Sequence, residues 1–155
     1  MFIWTARFSR KKAVCSVIVM GVVMAALILL TANHEKPEAS RPLLTDNAQR
    51  VAYLESYGWQ ITPEPLETLQ FLLSDPLEEP YLSYNTLQKA QGFDLSACCG
   101  KQLTRYTYTV TNYPDRPQGV QVNLYLCEGL PVAGDIFCPG AGGFQTGLQY
   151  PNTKA

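Results

Sequence analysis

Residues 120–137 read VQVNLYLCEGLPVAGDIF, and this stretch decides the fold. Val122, Leu124 and Leu126 alternate with Gln121, Asn123 and Tyr125, the period of a strand with one buried side. Glu128-Gly129 then supplies a two-residue hairpin turn, and residues 130–137 run back. The register this predicts sets Cys127 opposite Leu130 and Cys138 opposite Gly119. Pro131 cannot donate to a ladder, which places that position on an edge or an open side.

The same alternation extends upstream. In residues 103–111, Tyr106, Tyr108 and Val110 share one face while Thr107, Thr109 and Thr111 share the other. In residues 66–73, Leu69, Phe71 and Leu73 alternate with Thr68 and Gln70, predicting another strand with one buried side. Two helices are expected besides. The first starts at a Thr45 or Asp46 cap, with Gln49 completing a capping box, and ends at Gly58. Its apolar face is Ala48, Val51, Ala52 and Leu54, with Arg50 and Glu55 pointing elsewhere. The second starts near Pro80, runs through Tyr81, Tyr84, Leu87 and Ala90, and stops at Gly92. The tail from Pro139 is glycine-rich and without a period. The expected class is α+β: a small two-layer domain, an antiparallel sheet of about four strands with two helices covering one face.

Ahead of this domain stands an uncharged apolar run, residues 13–32, directly preceded by Arg7, Arg10, Lys11 and Lys12. About 20 helical residues span a hydrocarbon core of roughly 30 Å. A cleaved signal peptide has a shorter apolar region and a small-x-small site, whereas Leu30-Thr31-Ala32 opens with a bulky residue. The reading is a single-pass anchor with a cytoplasmic stub (1–12), a transmembrane helix (13–32), a linker with Pro37 and Pro42 (33–44) and an extracytoplasmic domain (45–155). All 13 acidic residues and 8 of the 12 basic ones follow the run, so the outer part carries a formal charge of −5. That balance argues against nucleic acid and against anionic lipid headgroups as partners.

Four of the five cysteines, Cys98, Cys99, Cys127 and Cys138, lie in the outer part, where disulfides persist. In the predicted hairpin Cys127 and Cys138 stand about eight strand steps apart, roughly 26 Å, which excludes a bond between them. Any bridge should therefore join Cys98 or Cys99 to the sheet; the alternative is free, partly buried thiols. No close cysteine pair with zinc spacing occurs, and the single histidine, His34, sits in the linker. No metal, no cofactor and no Cys–His or Ser–His–Asp constellation is expected in the domain. Asp94 and Asp135 are the remaining candidates for acid/base work, although a turn cap and an exposed edge charge account for them more simply. Tyr81, Tyr84, Tyr106, Tyr108 and Tyr125 are candidates for a recognition groove.

The run Tyr84-Asn85-Thr86-Leu87-Gln88-Lys89-Ala90-Gln91-Gly92-Phe93-Asp94-Leu95 is followed by Gly100-Lys101, Arg105-Tyr106-Thr107-Tyr108, Asn112-Tyr113-Pro114 and Gly134-Asp135-Ile136. Over residues 49–148 this resembles a family of short membrane-anchored proteins of Gram-positive, clostridia-like bacteria, domain-of-unknown-function family 4830. The resemblance implies location and fold, not chemistry. Cys98-Cys99 and the proline- and glycine-rich tail depart from the family pattern. The expected function is non-catalytic binding of an envelope protein or ligand at the cell surface, on a face of Tyr84, Asn85, Gln88, Asp94, Tyr106, Tyr108 and Asp135. The alternative is a cell-envelope hydrolase using Asp94 and Asp135, which requires those carboxylates within roughly 5–10 Å in a cleft.

Overall fold

The computed structural model describes residues 41–151, apart from Asp115 and Pro117. The expected stub at 1–12, the spanning run at 13–32 and the linker as far as residue 40 lie outside the described residues. Among the described residues no helix is long and apolar enough to cross a membrane.

Five strands form one antiparallel meander: β1 (Glu67–Leu72), β2 (Gln102–Thr109), β3 (Gln121–Cys127), β4 (Leu130–Cys138) and β5 (Phe144–Thr146), adjacent in chain order. Two helices, α1 (Asn47–Glu55) and α2 (Tyr81–Ala90), and a short 3-10 helix (Leu95–Cys98) complete an α+β domain. The expected sheet of about four strands gains β5 from the aperiodic tail. Its three residues pair only with Ile136, Phe137 and Cys138 at the end of β4, too short a run to show alternation. β1 is an edge strand, and its expected buried side is covered only toward its end: Leu73 is buried and Phe71 half-buried, while Leu69 remains 40% accessible.

Both faces of the sheet are covered, which corrects the expectation of helices on one face. Leu54 of α1, with Trp59 and Leu148, packs against Tyr108, Val122, Leu124 and Ile136. On the opposite face Tyr81 and Tyr84 of α2, with Leu95 and Cys98 of the 3-10 helix, pack against Leu103, Tyr125 and Ala133. The reason lies in β3, where Asn123, Tyr125 and Cys127 are as buried as the leucines between them. These side chains read as a solvent face by alternation, yet they carry enough apolar surface, or find enough partners, to be covered.

Glu128 and Gly129 take φ of 52° and 80°, the paired left-handed residues of a type I′ hairpin, as the turn signal requires. The predicted register holds for Cys127 opposite Leu130 and Leu126 opposite Pro131. It then slips by one: Tyr125 faces Ala133 and Gln121 faces Phe137, with Val132 the extra residue of a bulge. Cys138 is thereby displaced from the position opposite Gly119 expected of a regular hairpin. The slip also turns the rest of β4 over, because a shift of one residue exchanges the two faces. Asp135 consequently lies opposite Asn123 rather than Val122. Pro131, without an N–H, sits where β4 has no strand on its other side, since β5 begins pairing only at Ile136.

Asp46 caps α1 by accepting from Gln49 N at 2.8 Å, and Gln49 Oε1 reaches back to Thr45 N at 2.7 Å. The inward stripe is Asn47, Arg50, Val51 and Leu54 rather than the expected alanines. Arg50 lies over the Tyr106 ring at 4.0 Å and donates to Tyr108 Oη at 3.2 Å, so it does not point away. α2 ends in a Schellman turn, with Phe93 N donating to Gln88 O and Gly92 N to Lys89 O. Two residues at the end of the expected linker belong to the domain. Leu44 is buried and donates its N–H to Gly129 O at 2.8 Å, and Arg41 lies over the Phe93 ring.

Candidate functional site

The bulge in β4 brings Asp135 beneath α2, with no exposed surface, and the site is built on this carboxylate. Tyr84 Oη donates to Oδ1 at 2.5 Å, Gln145 Nε2 to Oδ2 at 3.1 Å, and Asn123 Nδ2 to Oδ2 at 3.3 Å. Asn123 is itself oriented by Thr107 Oγ1, which donates to its Oδ1 at 2.8 Å. Four elements thus converge, since β2, β3, β5 and α2 each supply one side chain. Burial pushes the Asp135 carboxyl above the ordinary carboxylate range; the donors from Tyr84, Gln145 and Asn123, and the Arg105 charge, oppose the rise. Burial also drives up the Tyr84 phenol, reinforced by the charge of Asp135. Tyr125, buried beside them, is pushed up to about 12 by burial and then by Asp135.

Above Tyr84 opens a cleft of about 510 Å³, within the common range for ligand sites. Tyr81, Tyr84, Tyr125, Leu87 and Arg105 line it, together with Pro80, Ser83 and Gln145. Tyr84 and Tyr125 stand 5.5 Å apart, and Tyr81 stacks on Phe71 at 5.2 Å. Arg105 is tied on one side to Glu67 of the edge strand. Asp135 does not line this cleft; Tyr84 and Gln145, both bonded to it, do. The carboxylate therefore sets the position of the wall and does not meet what enters.

Residues 53–127 match the family model described as a domain of unknown function, DUF4830. The match supports that family and covers less of the chain than the 49–148 expected from the resemblance. No curated protein and no solved structure matches the chain. The matched segment contains the cleft residues Tyr81, Tyr84, Arg105 and Tyr125, while Asp135 and Gln145 lie beyond it.

The residues singled out from the sequence do not form one face. Tyr84 and Asp135 meet. Asn85 and Gln88, also within the matched segment, are buried on the inner side of α2 and serve the fold. Asn85 Oδ1 accepts from Leu95 N at 2.8 Å and its Nδ2 donates to Asp94 Oδ1 at 2.9 Å. Gln88 Oε1 accepts from Gly134 N at 2.9 Å, closing the open edge of β4. Asp94 caps the 3-10 helix through Ser96 N at 2.9 Å. The Asn85 bond, then the Ser96 backbone, hold its carboxyl down at about 2. Tyr106 and Tyr108 lie on the other side of the sheet with α1, where Tyr108 Oη donates to Asn47 Oδ1 at 2.9 Å. A second hollow of about 610 Å³ opens there, lined by Tyr106, Arg50, Lys101, Thr104 and Glu128 among others.

The expected exposed edge charge at Asp135 is thus overturned: the residue is fully buried. Arg105 was not singled out, although the alternation of its strand sets it on the face opposite Tyr106; Gln145 had no signal because its strand had none. The four described cysteines are free thiols. Among the described residues no group of three His, Cys, Asp or Glu side chains could hold a metal ion.

Proposed function

We propose that this domain is a non-catalytic binding module, held outside the cell membrane by residues 13–32, which takes an envelope protein or ligand in the tyrosine cleft. One observation carries the reading. Three tyrosines line an open cleft, and the hydroxyl of one is locked by a buried carboxylate that an occupant cannot reach. Such rings offer broad amphipathic contact area with little rotamer freedom left to lose. Chemistry has fewer supports. Ser83, which also lines the cleft, donates its hydroxyl to the Glu79 carboxylate at 2.7 Å in a bond at the start of α2. The chain's only histidine is His34, outside the described residues. The hydrolase reading needs Asp94 and Asp135 in one cleft, and neither lines this one.

The test is capture from native envelope extract with the outer domain as bait, in parallel with Tyr81→Ala and with Arg50→Ala on the opposite face. A saturable partner retained by Arg50→Ala and lost by Tyr81→Ala supports the cleft. Equal capture by the Tyr81 variant would rule the cleft out as the binding surface. Membrane attachment is checked by alkaline extraction of vesicles: the chain stays with the lipid if residues 13–32 span, and is released if they do not.

A further inference from the structure

Cys98 ends the 3-10 helix and Cys127 ends β3, yet the fold carries both into one buried cluster with Leu73, Leu95 and Leu103. Three contacts bracket the pair. Lys101 N donates to Cys98 O at 3.1 Å, turning the chain back after the helix. Leu103, two residues later, stands directly opposite Cys127 in the β2–β3 ladder. Lys101 Nζ then reaches Glu128, the neighbour of Cys127, at 3.1 Å. The two thiols lie near enough to act on one another, and burial with that contact pushes the Cys98 thiol up to about 12. The other two described cysteines are placed differently. Cys99 is only half-buried, and Cys138 belongs to the core on the opposite face, where Arg116 donates to its sulfur at 3.1 Å.

We propose that Cys98 and Cys127 are a disulfide site, forming one intramolecular bridge between the 3-10 turn and β3 when the chain meets an oxidising thiol–disulfide pool. The oxidant is an external low-molecular-weight disulfide. One cysteine loses its proton and attacks that disulfide, releasing one thiol and leaving a mixed disulfide. The second cysteine, as thiolate, attacks the mixed disulfide, forms the Cys98–Cys127 bond and releases the second thiol. The cysteine pair gives up two electrons and two protons, and the external disulfide takes up both. Burial slows this exchange, because the thiolate is the reactive form and both sulfurs are shielded, and the same shielding protects the finished bridge from reductants. The bridge closes a loop of about 30 residues, which raises the folding equilibrium constant by roughly two to three orders of magnitude. This inference is independent of the binding reading.

The test equilibrates the full chain in detergent with oxidised and reduced glutathione, alkylates the remaining thiols and maps the peptides by mass spectrometry. The expected map shows a Cys98–Cys127 linkage with Cys99 and Cys138 alkylated. Oxidation is then expected to raise the urea midpoint of the wild type and of Cys99→Ser, and to leave Cys98→Ser and Cys127→Ser unmoved. A bridge through Cys99, Cys138 or Cys15, an intermolecular dimer, or full alkylation of both residues after refolding in the oxidised pool overturns the proposal. The wild-type map decides even where a serine variant fails to fold.

Discussion

At the scale of single residues, Asp135 and Asp94 are carboxylates with opposite environments. Asp135 is raised by burial, so its contribution to stability is complete below the unfolded-state pKa of about 4 and is lost as pH rises through the folded value. Asp94 is depressed, so its contribution is present above about pH 4 and is lost as pH falls toward about 2. Asp135→Asn removes only the first dependence. In urea denaturation between about pH 3 and about pH 8, the asparagine variant should gain on the wild type as pH rises. A constant difference across that window would mean that the carboxyl is not perturbed. Tyr84→Phe strips the 2.5 Å donor from the same carboxylate and should cost about 1.5–3 kcal/mol at neutral pH. In the Asp135→Asn background that loss should shrink, since the acceptor is then uncharged; equal losses in both backgrounds would place the effect of Tyr84 in packing alone.

At the scale of elements, the start of α1 and the end of α2 were legible because they depend on local chemistry, whereas α1 stops at Glu55 with Ser56 as its cap, short of the expected Gly58. Asp46 and Gln49 cap α1, and Gly92 with φ of 84° ends α2 as a left-handed residue. The inner face of α2 was not legible. Its inward residues include Asn85 and Gln88, expected from the sequence on a recognition face, and they are buried because each satisfies backbone groups of another element. Gln88 and Gln91 bind Gly134 N and O, standing in for a neighbouring strand along the open edge of β4. Gln88→Leu leaves Gly134 N–H without its acceptor, while removing a buried Nε2 that has no partner. The net loss should be about 1 kcal/mol by thermal melts. Gly134→Ala should cost more, about 1–3 kcal/mol, because a Cβ there would stand 2.5 Å from Leu148 Cδ1, itself fully buried. If Gly134→Ala proves neutral, Leu148 can yield and this packing is looser than described.

At the scale of the whole molecule, the domain starts earlier than its composition suggests. Residues from Arg41 onward form one compact unit, and Leu44 lies 5% exposed in its core. A chain beginning at Arg41 should unfold cooperatively, whereas one beginning at Thr45 should lose about 1.5–3 kcal/mol with the Leu44 side chain. Equal midpoints for the two would return Leu44 to the linker. The sequence by itself determined the antiparallel pairing, the start of α1, the end of α2 and the Glu128-Gly129 turn, because alternation, caps and positive φ are set by neighbours along the chain. Only the tertiary structure decided which residues form the candidate site. A bulge at Val132 turned Asp135 from the face of α1 to the face of α2, and a three-residue strand brought Gln145 to it. The same packing separated Tyr84 from Tyr106 and Tyr108 by the thickness of the sheet. The physical reason is that a one-residue slip leaves the local pattern of apolar and polar residues intact while reversing the side to which each points.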